Sequence, residues 1–453
     1  SPVKNVHDGS AFSVGGAAAG MPDHVAISAW GSGQGPISAT NWSHGHNNGA
    51  GFASGGRMSA KDYCVLGDGT TIIMVQVAEA DDEVGVGSIP TSSGVPGTPT
   101  AAQILSADFT TSSSGGIQVF ADPGRADGIV IILFSENSAR KIEIGHYTLS
   151  SGTFSRVGSI ISHTLASDSF DAFNNAAVTL HPSDGNSGVI IFTNNTSTSQ
   201  VQCMPFNYAS NQKFGTSVAS GVTAGNANQY GQVIIEPTGE VVAFCNANRI
   251  LEWALTTGTT PSVAFAEDHS LGSCGSSWHQ SQGQWPKRPQ TGSTMVQLET
   301  PTDPGEAMIG GVYGGVENYF SGVTAGKHNP LSANPQTNPP LFTLPGNTWS
   351  WTGELSRFNK VDEVNGWVRG VQISAGLYSS SRYTPLYACP VMVSPEAGWA
   401  VYGDVISSTN VEPRRPLRGI MNSVLIDNIL TVFVTDGDNT TSPDMYMSLT
   451  VTP

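Results

Sequence analysis

The chain has 453 residues, 53 of them glycine and 27 proline, with 38% hydrophobic and only 12% charged residues. Frequent helix breakers and scarce charge exclude helical bundles and coiled coils. A net charge of −16 offers no positive footprint for a phosphate backbone or an anionic membrane, so no nucleic-acid partner is expected.

Residues 1–60 are rich in Gly, Ala, Ser and Asn and hold one strand-like piece, Val25–Trp30. They read as an N-terminal extended arm that docks on another subunit, or as a strand that closes the fold. The first residues, Ser1–Val6, lack an apolar core, so no export signal is expected there.

From residue 61 to 453 a different pattern takes over. Short apolar runs rich in Val, Ile and Phe are bounded by Gly, Asp, Asn, Pro and Ser, the signature of strands joined by tight turns. One hairpin recurs as Val65–Met74, Val119–Phe134, Val178–Phe192, Val233–Phe244 and Val296–Ile309. Its turn residues Gly69, Gly128, Gly188, Gly239 and Gly305 are spaced by 59, 60, 51 and 66 residues. Gly366 and Asn428 continue the spacing; Gly398, in Val393–Val401, fits the turn pattern better but breaks it. A second, aromatic-bearing hairpin follows in several copies, at Ile142–Phe154, Val201–Phe214 and Ile250–Thr260. The most apolar run, Gly128–Phe134, is far too short for the roughly 20 residues that span a bilayer, so no membrane insertion is expected.

Each unit therefore reads as four antiparallel strands repeating about every 60 residues. A lone four-stranded sheet cannot hide both faces, whereas radial packing against its neighbours does so. The expected fold is all-β: a β-propeller of about seven four-stranded blades with the N-terminal extended arm. A pair of β-sandwiches is the alternative, and near-equal spacing weighs against it.

Five cysteines, Cys64, Cys203, Cys245, Cys274 and Cys389, are scattered singly and read as reduced, mostly buried residues. His44 and His46 form an His-x-His pair without a third ligand, and Asp436–Thr441 and Glu79–Glu83 read as solvated turns, so no metal is expected. Cys274–Trp278 echoes a cysteine-protease sequence, but Ser277 stands at the nucleophile position. With no nucleophile elbow, phosphate loop or zinc-protease motif, no enzyme activity and no cofactor are expected. Two long surface loops, near 272–292 and 322–350, interrupt the pattern, and the second runs into Trp349 and Trp351. Trp278, His279, Trp285, Trp349 and Trp351 in and beside them are the candidate ligand-binding residues, since an indole face stacks on a sugar ring.

Low charge, abundant Gly, Ser, Thr and Asn, and repeated hairpins such as Val178–Phe192 and Val233–Phe244 resemble the propeller-bearing tail, nozzle or fibre proteins of tailed bacteriophages. The resemblance implies a non-enzymatic virion component, assembled in the host cytoplasm as a homo-oligomer with other virion proteins, with a role in tail structure or in binding a host-surface glycan. The alternative is a secreted bacterial β-propeller that binds or cleaves glycans.

Overall fold

The computed structural model describes residues 21–31, 58–78, 83–100, 103–105, 108–109, 116–134, 141–164, 176–193, 200–209, 211–223, 230–236, 238–245, 249–270, 294–299, 304–313, 317–324, 342–343, 356–365, 367–375, 386–394, 399–408, 420–435 and 445–453. Every element among them is a strand, and the strands form seven separate antiparallel sheets.

Blade one is built from Met58–Val65, Thr71–Ala78, Glu83–Ser92 and Val95–Pro96. Blade two is Gly116–Ala121, Gly128–Phe134, Lys141–Ser150 and Thr153–Arg156. Blade three is Ala176–Leu180, Ser187–Thr193, Gln200–Asn207 and Lys213–Phe214. Blade four is Tyr230–Ile235, Glu240–Cys245, Arg249–Thr256 and Ser262–Ser270. Blade five is Thr294–Glu299, Pro304–Tyr313, Glu317–Thr324 and Phe342–Thr343. Blade six is Ser356–Val364, Trp367–Ala375, Leu386–Ser394 and Trp399–Tyr402. Blade seven holds Ile420–Ile426, Ile429–Thr435 and Met445–Thr452, and its fourth strand comes from the other end of the chain, Ala26–Ile27.

First strands meet first strands between blades one and two and from blade three round to blade seven, and Ile420–Ile426 against Met58–Val65 closes the ring. The fold is a β-propeller. The second strands of blades two and three, Gly128–Phe134 and Ser187–Thr193, read as apolar runs because they are buried on both faces, and the two-residue pleat divides each run between two neighbours. In Gly128–Phe134, Ile129, Ile131 and Leu133 pack with Ile73, Val75 and Val86 of blade one. Val130, Ile132 and Phe134 point the other way, into Val178, Ile190 and Phe206 of blade three. Val189 and Ile191 then pack against Val241, Leu251 and Trp253 of blade four. The same division places Ile72 and Met74 against Phe433 of blade seven, with Tyr63 stacked on Phe433 at a centroid distance of 4.3 Å.

The first hairpins of blades six and seven settle the spacing in favour of Gly366 and Asn428. Asn365, Asp427 and Asn428 take positive φ values of 53°, 47° and 64°, as tight two-residue turns require. The hairpin around Gly398 instead joins the third and fourth strands of blade six, Leu386–Ser394 and Trp399–Tyr402.

The four-strand unit has an irregularity that the spacing does not announce. In blades one, two, three and six the outer strand is broken, and a further piece pairs lower on the third strand: Gln103–Ile104, Ile161–Thr164, Val218–Thr223 and Ile406–Ser407. In three of them the break sits beside a third-strand proline. The carbonyls of Pro90, Pro205 and Pro390 accept the N–H groups of Gly97, Gly215 and Gly403 at 2.7, 2.7 and 2.8 Å. Proline has no N–H to return, so the ladder stops there.

Side-chain amides tie neighbouring blades where backbone ladders cannot. Gln212 of blade three donates to the Val157 carbonyl and accepts from the Ser159 N–H of blade two, both at 2.8 Å. Gln103 of blade one does the same for Phe154 of blade two, donating to its carbonyl at 2.7 Å and accepting from its N–H at 2.8 Å.

Candidate functional site

Trp278, His279, Trp285, Trp349 and Trp351 lie outside the described residues. By their numbers they fall in the connection from Ser262–Ser270 to Thr294–Glu299 and in that from Phe342–Thr343 to Ser356–Val364, each leading from the outer strand of one blade to the first strand of the next. His44, His46, Cys274, Ser277, 79–82 and 436–441 also lie outside the described residues. Three other tryptophans belong to the core. Trp253 is fully buried between blades three and four, its Nε1–H 3.3 Å from the Val218 carbonyl, and Trp30 and Trp367 are buried as well.

The most concentrated polar chemistry among the described residues lies at the seam of blades two and three. Asp122 follows the first strand of blade two, where the chain turns through Pro123 and Gly124. Its Oδ1 accepts the Gly124 N–H at 2.8 Å and the Tyr208 hydroxyl of blade three at 2.9 Å. Its Oδ2 lies 2.9 Å from His146 Nε2. His146 sits on the third strand of blade two, facing blade three like Ile144 and Ile142 two and four residues before it. Its ring stands edge-on to Tyr208 at 5.5 Å. Burial opposes ionisation of Asp122, but the His146, Gly124 and Tyr208 donors outweigh it and hold the carboxyl below its usual value. Burial, reinforced by the Asp122 charge, pushes the Tyr208 hydroxyl far up, so it stays a donor.

The hairpin turn of blade three packs on this cluster. A Cβ built on Gly185 would lie 2.4 Å from Gly124 Cα, so only glycine permits the two turns to touch. His181 occupies the same place in blade three as Asp122 in blade two, and its Nδ1 accepts the N–H groups of Ser183 and Asp184 at 3.2 and 2.9 Å. Nδ1 is therefore unprotonated, and burial lowers the pKa of the ring.

An Asp–His–Tyr arrangement invites a catalytic reading, and its enclosure argues against one. The side chains of Asp122 and His146 are 1% and 2% exposed, so a substrate has no path to them. The cluster locks two blades together. A second lock on the other face of blade two is partly exposed: Asp108 accepts from Tyr147 at 3.0 Å and from Arg156 at 2.6 Å. No group of three His, Cys, Asp or Glu among the described residues could hold a metal ion. Cys64, Cys203 and Cys389 form no disulfide among the described residues, and the last two are buried. In the sequence Asp122 and His146 stand only as members of the hairpins Val119–Phe134 and Ile142–Phe154. The signal for His146 was a polar residue at the inward position that follows Ile142 and Ile144, whereas Asp122 lies just past its strand and carried none.

No protein-family model matches this sequence, and no curated protein matches it. Among solved structures, the chain is similar to the BP39L lectin from Burkholderia pseudomallei, with a TM-score of 0.52 at 12% identity, covering 88% of this chain and 97% of the lectin. An oligogalacturonate lyase in complex with manganese gives 0.42 at 10% identity, covering 96% and 98%. The six-bladed lectin of Aleuria aurantia gives 0.36 at 10% identity, covering 78% and 95%. At such identities the likeness shows the β-propeller fold alone, and the resemblance to phage tail proteins draws no support from it.

Proposed function

We propose that this chain is a non-catalytic, glycan-binding β-propeller. The observation that carries the reading is the likeness to the BP39L lectin, which spans nearly the whole of both chains. The two tryptophan-bearing connections, with Trp278, His279 and Trp285 in one and Trp349 and Trp351 in the other, supply the binding groups in this reading. An indole stacks on a saccharide face, and Gln and Asn side chains nearby hold its hydroxyls. A role for the propeller in a tailed-phage particle is the second reading; the low-charge, Gly- and Thr-rich composition supports it, and host-surface binding would use the same connections.

Screening the full chain on a glycan array, with calorimetric titration of the hits, tests the proposal. The expected result is saturable binding that falls at least tenfold in Trp285→Ala and Trp349→Ala while the melting temperature stays within about 2 °C of the parent. Hydrolysis or elimination of a bound glycan would overturn the non-catalytic reading. Absence of any saturable glycan binding would overturn the whole.

A further inference from the structure

We infer that residues 21–31 form an acid-released clasp on the propeller ring, with His24 as its titrating group. This segment supplies the fourth strand of blade seven. Ala26 and Ile27 pair with Thr452 and Val451, and the Ser28 and Gly31 N–H groups donate to the Thr450 and Ser448 carbonyls at 3.0 Å. Val25 and Trp30 enter the core between blades six and seven, beside Val371, Leu386, Leu430 and Val451. The clasp thus holds the two ends of the chain together with very few backbone hydrogen bonds. Local opening of so short a strand costs far less than global unfolding.

His24 stands where the clasp meets the broken outer strand of blade six. A Cβ on Gly403 would lie 3.6 Å from His24 Cδ2. Both ring nitrogens are shut off from solvent, and neither has a hydrogen-bond partner among the described residues. Among the described residues, the charged groups around it are Asp23 on the clasp, Asp404 on blade six, and Arg369 of blade six, which donates to the Asp23 carbonyl at 3.1 Å and is itself paired with Asp362. The two nearby aspartates favour a charged ring, and desolvation outweighs them, so the ring is held below its usual value.

The sign follows. The closed clasp disfavours protonated His24, whereas the open clasp lets it take up a proton at its ordinary pKa of about 6.5. Closure is complete above that value and weakens as pH falls below it, by at most about tenfold in the closing equilibrium per pH unit. Acid therefore frees the clasp and bares the edge of Met445–Thr452, leaving blades one to six in place.

Hydrogen exchange by mass spectrometry, corrected for the intrinsic pH dependence of amide exchange, tests this on the full chain. Between pH 7.5 and 5.5, protection of 21–31 and 445–452 is expected to fall several-fold while that of Gly128–Phe134 holds. His24→Gln is expected to flatten the response. Asp404→Asn, which removes a carboxylate that favours the charged ring, is expected to deepen it. An unchanged response in His24→Gln, or an equal loss in Gly128–Phe134, would overturn the inference. If His24→Gln does not fold, an Asp404→Asn response equal to or shallower than the parent's overturns it.

Discussion

Asp122→Ala offers the sharpest check on how the blades are held. The substitution removes the only atoms that the Tyr208 hydroxyl, the Gly124 N–H and His146 Nε2 are seen to meet, at 2.8 to 2.9 Å. Tyr208 and His146 are buried, at 1% and 3% exposure, so water does not replace the lost acceptor without opening the seam. A buried donor left unsatisfied costs about 1–3 kcal/mol, and both the Tyr208 hydroxyl and the Gly124 N–H lose their acceptor. The expected loss is therefore about 2–5 kcal/mol. In a chain of this length each kcal/mol moves Tm by roughly 1–2 °C, so the shift should be about 2–10 °C by circular dichroism. The double variant Asp122→Ala/Tyr208→Phe carries the more specific test. Removing the stranded hydroxyl should recover part of the loss, giving a coupling of about 1–2 kcal/mol in a double-mutant cycle. A loss below about 1 kcal/mol for Asp122→Ala, or strictly additive single effects, would refute the idea that this carboxylate holds the seam.

Four further outcomes are expected. The depressed pKa of Asp122 makes its contribution complete above its unfolded value near 4 and lost as pH falls through the lower folded value; acid titration of Asp122→Asn should show a shallower fall in stability below pH 4 than the parent. Gly185→Ala should cost about 2 kcal/mol or more in chemical denaturation, because its methyl meets Gly124 backbone. Gly152→Ala, at φ 80° with open space around it, should cost only the backbone strain of about 1 kcal/mol. In alkylation followed by mass spectrometry, Cys64 should react before Cys203 and Cys389, which stay protected until unfolding, since burial shields both and pushes the Cys389 thiol up.

The sequence by itself determined the fold class and the repeat. Runs such as Gly128–Phe134 and Ser187–Thr193 are too apolar for a strand with a wet face, and turns at near-equal spacing leave radial stacking as the way to bury them. Gly69, Gly239, Asn365, Asp427 and Asn428 carried part of that signal because they take the positive φ of tight turns, whereas Gly128, Gly188 and Gly305 mark it from the start of the second strands. Asp122, His146 and Tyr208 are different. They are separated by 24 and 62 residues and become one cluster only when blade three packs on blade two, a register that no local pattern encodes. The same holds for Ala26–Ile27, whose partner strand lies at the opposite end of the chain, and for the broken outer strands, where a proline acts only because of the strand laid against it. Turn chemistry and pleat periodicity are local and readable along the chain; which buried polar groups meet is decided by tertiary packing.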